Sequence, residues 1–290
     1  MLEAVPNVSE GRDPRVIEEI GRAFAEGATV LDVHSDADHH RSVYTLAAAP
    51  EELVEALLAG VARAVELVDL REHDGVHPRV GAVDVVPLVP LVAADLDLAA
   101  TTALAVARRL GSEVGLPVFL YGEVGGRRAP AYFRRGGPHE LERRLETGEL
   151  VPFAGPDRID PRSGAVLVGA RRPLVAYNVE LDTSDVRVAR EIAAVVRESG
   201  GGMPGVQAIG LHLPRSGRVQ VSMNVLDLDR SPLHEVVARV RAEAAERGVA
   251  VRGGELVGLV PAGVVDAARS AGASVPGVDE TRALERILAL

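Results

Sequence analysis

Residues 5–20, VPNVSEGRDPRVIEEI, and residues 176–192, AYNVELDTSDVRVAREI, read as two versions of one segment. Each carries an asparagine, Asn7 or Asn178, in a short apolar run. Each then passes through a polar turn into a helix whose apolar residues recur three and four apart. Asp13 followed by Pro14 supplies an N-cap and first-turn residue for the earlier helix. Thr183 or Ser184 is expected to cap the later one, with the helix running to Ser199. A strand opening into a helix, found twice in one chain, predicts an internal duplication.

The flanking sequence extends both copies in the same order. After the first helix, residues 28–33 and 41–48 read as strands joined by the polar stretch 34–40. Pro50 starts a helix with an apolar stripe at Val54, Leu57, Leu58, Val61, Val65 and Val68, and residues 81–91 form a buried strand. After the second helix, strands at 206–213 and 218–226 flank a hairpin turn. A helix follows at 232–247, and a last strand begins near Val249. Strand, helix, strand, strand, helix, strand is the order of a split βαβ unit. The predicted fold is therefore α+β. It consists of two duplicated ferredoxin-like (split βαβ) subdomains, residues 1–172 and 173–290, with mixed or antiparallel sheets covered by helices on one face. Such sheets are expected to meet along a cleft that holds ligands. The insert between the copies contains an Ala-rich helix at 96–110, a strand at 117–121 and an Arg-rich segment at 127–148 with a short helix at 139–145. It ends in the irregular loop VPFAGPDRIDPRSG at 151–164.

Composition narrows the chemistry. Apolar residues make up 47% of the 290, enough for a large core. No stretch approaches the roughly 18 uninterrupted apolar residues of a membrane span. With no basic start or apolar h-region, a cytoplasmic location is expected. A net charge of -10 without a basic segment argues against nucleic acid. Cysteine is absent, which removes disulfides and thiolate chemistry, and all 32 basic residues are arginine, which removes lysine Schiff-base chemistry.

Titratable residues concentrate at 70–91, LREHDGVHPRVGAVDVVPLVPL, where a polar loop runs into the buried strand. His73 and His77 lie four apart, but Gly75 and Pro78 break the helix that would align them on a metal. His73 is expected to brace the loop. His77 sits between the rigid Pro78 and the charged Arg79 and Asp84, a setting suited to a general base. Further polar groups gather at 34–41, including His34 and Arg41, and at Asn7, Ser9, Glu10, Gly11 and Arg12, with Tyr121 and Glu123 at the end of another strand. Asn178, Gln220 and Asn224 lie inside apolar strands, where inter-strand bracing and ligand contact are equal readings.

Seven strings occur in one order: VPNVSEGR (5–12), LDVHSDADHHRSVYTL (31–46), DGVHPRVGAVDVVPLVP (74–90), VFLYGE (118–123), VGARRPLVAYNVEL (168–181), QVSMNVLD (220–227) and GGELVGLVP (253–261). Together they resemble the formiminotransferase family, in its form without a cyclodeaminase domain. The resemblance implies transfer of a formimidoyl group between N-formimidoyl-L-glutamate and N5 of tetrahydrofolate, a step of histidine degradation. Tetrahydrofolate is then a co-substrate, no metal is needed, and a homodimer is expected. His77, in the H-P-R motif, is implied as the catalytic residue. The implied folate-binding loop comprises Gly155, Pro156, Asp157, Arg158, Ile159, Asp160, Pro161, Arg162, Ser163 and Gly164, whose charged interior departs from the family's vertebrate members. Arg41 and Arg79 are candidates for substrate carboxylates, and Asp84 or Glu10 for orienting the imidazole. Asn7, His34, Tyr121, Glu123 and Asn178 are expected to line the site. The alternatives are formyl transfer from N-formylglutamate on the same scaffold and a folate-binding protein without turnover.

Overall fold

Backbone hydrogen bonds pair the strands, and the apolar helix stripes cover them; the strands Arg41–Ala48 and Val83–Pro90 are buried almost throughout. The computed structural model describes residues 1–289. The chain divides into two compact units, Met1–Arg172 and Pro173–Leu290.

In the first unit, β1 (Leu2–Ala4) and β2 (Asn7–Val8) are successive pieces of one strand broken at Val5 and Pro6. Helix α1 (Pro14–Phe24), strands β3 (Thr29–Asp36) and β4 (Arg41–Ala48), helix α2 (Pro50–Leu67) and strand β5 (Val83–Pro90) complete the expected unit. β3 pairs with β4, β4 with β1 and β2, and these with β5, all antiparallel. The insert adds α3 (Leu96–Arg109), β6 (Val118–Gly122), α4 (Pro130–Arg134), α5 (Gly137–Glu146) and β7 (Val166–Ala170). β7 pairs in parallel with both β5 and β6, so this sheet is mixed.

The second unit contains β8 (Val175–Leu181), α6 (Val186–Val196), β9 (Val206–Leu213), β10 (Arg218–Val225), α7 (Leu233–Glu246) and β11 (Val251–Val257). Helices α8 (Ala262–Ser270) and α9 (Leu284–Ile287) follow. Its antiparallel sheet runs β11-β8-β10-β9, the order β5-(β1, β2)-β4-β3 repeated. Both units thus have ferredoxin-like topology. Asn7 pairs with Val43 and Val85, and Asn178 pairs with Ser222 and Glu255, so the two asparagines hold equivalent central positions.

Three details differ from the sequence reading. Asp185, and neither Thr183 nor Ser184, caps α6 by accepting from the Arg187 N–H, and the helix stops at Val196. β3 continues through His34 to Asp36, because pairing with β4 satisfies its backbone despite the polar side chains. The first sheet also carries helices on both faces. Its main core joins Leu2, Val8, Tyr44, Leu46, Val86 and Leu88 to the packed faces of α1, α2 and α3. A second core on the opposite face joins Val85, Phe119 and Leu167 to Phe133, Leu141 and Leu145 of α4 and α5. Those three apolar residues are dispersed among arginines and glutamates, so the segment reads as solvated.

Candidate active site

The polar face of the first sheet is built at a β-bulge. Asn7 lies opposite Val85 and Val8 opposite Val83, leaving Asp84 as an extra residue in β5. A bulge re-aims the side chain it carries. Asp84 is fully buried, and its Oδ1 accepts the Val80 N–H at 2.9 Å. Its Oδ2 is paired with Arg41 of β4 and with Arg134 of α4, whose Nε also lies 3.3 Å from Oδ1. Burial pushes the Asp84 carboxyl up, but Arg134 and Arg41 more than offset this and hold it below the usual range. Arg41 is pulled down to about 10, chiefly by burial, and so stays charged at neutral pH. Its Nη1 donates to Asn7 Oδ1 at 2.9 Å, linking β4 to the centre of the sheet. Val43 pairs with both Asn7 and His34, which puts those two polar residues on one face.

The loop before β5 places His77 beside this cluster. Its Nδ1 lies 2.8 Å from the Pro78 carbonyl, which can only accept, so Nδ1 carries the proton. Nε2 keeps a lone pair and has no hydrogen-bond partner among the described residues. The ring is half-buried, 5.7 Å from the His39 ring. Burial, then the charges of Arg41 and Arg134, hold its pKa well below the ordinary imidazole value. A neutral imidazole with one fixed nitrogen and one available nitrogen can accept a proton and return it.

The other members of the loop brace it. His73 Nδ1 accepts the Gly75 N–H at 3.1 Å, its Nε2 donates to the His40 carbonyl at 2.8 Å, and its ring stacks on that of His40. Both nitrogens are occupied and burial pulls its pKa to about 4, consistent with a structural role. Arg79, expected at a substrate carboxylate, donates to the carbonyls of His73 and Gly75 at 2.8 and 3.2 Å. Glu10, expected near the imidazole, accepts from the backbone N–H groups of Arg12 and Asp13 ahead of α1. Neither Glu10 nor Asp84 orients His77: the Pro78 carbonyl does.

The loop 155–164 is pinned at both ends. The Val118 N–H donates to Ala154, the Phe153 N–H to Val118, the Ala82 N–H to Ser163 and the Leu70 N–H to Arg162. Ser163 and Gly164 therefore lie against the His77 loop, and Ile159 packs into the α4–α5 core. Pro156 is half-buried, and Gly155, Asp157, Arg158, Asp160, Pro161 and Arg162 are exposed. Tyr121 is buried, which pushes its hydroxyl up to about 12, while Glu123 is exposed at the strand end. Asn178 donates to Glu255 of the neighbouring strand at 3.3 Å, within the second unit. No group of three His, Cys, Asp or Glu placed to hold a metal ion occurs among the described residues, and none of their helices is long and apolar enough to cross a membrane.

Arg134 escaped the sequence reading. The signal available was YFRRG at 132–136, an aromatic pair that buries Phe133 and so fixes where its neighbour points.

Residues 1–171 match the family model of the formiminotransferase domain, N-terminal subdomain, and residues 176–271 match that of the formiminotransferase domain. The formimidoyltransferase-cyclodeaminase of Gallus gallus is 41% identical over 272 residues, covering 90% of this chain and 50% of the relative. The chain thus spans about half the length of that relative and of its counterpart from Sus scrofa. The glutamate formimidoyltransferase of Streptococcus pyogenes is 38% identical, covering 90% of this chain and 89% of the relative. That of Thermoplasma acidophilum is 36% identical, covering 99% and 96%.

Proposed function

The chain belongs to the formiminotransferase family, and from that premise we propose that it transfers a formimidoyl group between N-formimidoyl-L-glutamate and N5 of tetrahydrofolate, with His77 as the proton carrier. The observation that carries the reading is the imidazole itself, neutral, oriented through Nδ1 and open at Nε2. Relatives named glutamate formimidoyltransferase that align over most of their own length support the donor and the reaction type.

In this reading N5 of tetrahydrofolate adds to the formimidoyl carbon. The new C–N bond forms as the carbon–nitrogen double bond opens, giving a tetrahedral adduct. His77 Nε2 takes the proton from N5 and delivers it to the glutamate nitrogen, which leaves as the amine while the double bond re-forms. Proton count is conserved and no covalent enzyme intermediate is needed. The chain's contribution is a proton relay of roughly 10²–10⁴-fold, together with alignment of two substrates. The surplus positive charge where Arg41 and Arg134 share Asp84 favours a substrate carboxylate. The loop 155–164, pinned against the His77 loop, is the proposed folate contact, with His34, Asn7, Tyr121 and Glu123 as further lining. We include in the proposal a homodimer and a cytoplasmic location.

The test is to incubate the protein with formimidoylglutamate and tetrahydrofolate and follow formation of 5-formimidoyltetrahydrofolate, with N-formylglutamate in parallel. Turnover of the formimidoyl donor is expected. Folate binding without turnover, or turnover of the formyl donor alone, would overturn the reading.

A further inference from the structure

Asp84 meets two guanidiniums at once, one from β4 and one from α4. One carboxylate against two guanidiniums leaves a unit of positive charge uncompensated. The side chains are buried enough for that charge to act at short range, Arg41 being 11% exposed, Arg134 17% and Asp84 not at all. The carboxylate that gathers them also binds the Val80 N–H, three residues beyond His77, so the cluster is tied to the loop that presents the imidazole.

We propose that Arg134 is a positioning residue for His77: by clamping α4 onto Asp84, whose other oxygen holds the Val80 N–H, it places a second guanidinium beside the loop that presents the imidazole. The proposal rests on the reading of His77 as the proton carrier. Groups facing the imidazole are Arg41 and His39 from the β3–β4 hairpin, Arg134 from α4 and Asp84 from β5. Both guanidiniums meet Asp84 Oδ2, so together they leave one positive charge beyond the carboxylate; Arg41 also donates to Asn7, whereas Arg134 is committed to Asp84. Its carrier helix is short, begins at Pro130 and buries Phe133 beneath the sheet, so the guanidinium arrives with its backbone fixed. A purely structural role would also anchor α4 but would leave the titration of His77 unmoved.

The test is an NMR titration of the full chain carrying ¹³C-labelled histidine, following the His77 Cε1–H signal, which is assigned with His77→Gln. The pH profile of kcat/KM is measured alongside. Removing a positive charge eases protonation, so Arg134→Met should raise the His77 pKa by about one unit or more. The acid limb of kcat/KM should move up by the same amount, and Arg134→Lys should restore most of both. If Arg134→Met does not fold, Arg134→Gln, which keeps a hydrogen bond to Asp84 without the charge, takes its place with the same expectation. An unmoved His77 titration in a folded variant overturns the proposal. The titration needs no substrate, so failure of the functional reading would show instead as absence of transfer in the unaltered protein.

Discussion

The Nδ1 of His77 lies 2.8 Å from the carbonyl oxygen of Pro78, its immediate neighbour along the chain. Because Pro78 has a fixed φ, this acceptor is held by a rigid piece of backbone with no separate carboxylate. The bond fixes the tautomer and directs the lone pair of Nε2 away from the loop. His73 engages both ring nitrogens with the backbone, so two histidines four apart are held in different ways.

His77→Ala is therefore expected to lower formimidoyl transfer by about 10²–10⁴-fold, while leaving the folding transition and folate binding nearly unchanged. A half-buried ring with one backbone contact gives the fold little. Stopped-flow assay of tetrahydrofolate consumption, beside circular dichroism and a binding titration, checks this. Transfer within a few-fold of the unaltered protein would remove His77 from the mechanism.

The two histidines also set an acid window for stability. Burial holds His73 at about 4 and His77 well below its ordinary value. Folded-state values below the unfolded value mean that the unfolded chain binds more protons in between. The stability they confer is fully present above the unfolded value of about 6.5 and is lost as pH falls toward 4. The urea midpoint should fall across that range. In His73→Gln, which can keep a hydrogen bond but cannot titrate, the fall should be shallower.

Asp84→Asn should destabilise the first unit by about 3–5 kcal/mol, because it leaves two buried guanidiniums facing a neutral amide. Asp84 is depressed in the folded state, so its contribution is present above the unfolded value of about 4 and disappears as pH falls further. The difference between Asp84→Asn and the unaltered protein, measured by urea unfolding, should therefore shrink below pH 4. A constant difference would mean that the charge is not what is lost.

The duplication was legible because strand and helix periods survive divergence: Asn7 and Asn178, read as equivalent from two short strings, occupy matching central positions in two sheets. The irregular loop that carries His77 was legible for a similar local reason, with Pro78 and Gly75 excluding a helix. Arg134 was not, since its partner lies 50 positions away and only the bulge at Asp84 brings them together. Arg79 and Glu10 show the complementary side: beyond their charges, they meet backbone groups of the two loops, a demand that a string of residues does not display.

Gly155 tests how firmly the 155–164 loop must be anchored. Its φ is +85°, and a Cβ there would collide with the carbonyl oxygen of Leu116. Gly155→Ala should cost about 1–3 kcal/mol through strain. It should also loosen the loop, which limited trypsin digestion would report as faster cleavage after Arg158. If the loop is the folate contact, KM for tetrahydrofolate should rise more than kcat falls.

Arg41→Lys separates charge from geometry at the centre of the sheet. The guanidinium donates through Nη1 to Asn7 and through Nη2 to Asp84. A lysine ammonium keeps the charge but lacks the planar fork that serves two partners in fixed directions. It is expected to follow the charge to Asp84 and leave Asn7 Oδ1, at a half-buried position, without its donor. The loss should be about 1–3 kcal/mol. Asn7→Ala removes the same hydrogen bond from the other side, so the two changes should not add. A double-mutant cycle by urea unfolding should give a coupling of about 1 kcal/mol. Strict additivity would show that Arg41 stabilises the sheet through Asp84 alone.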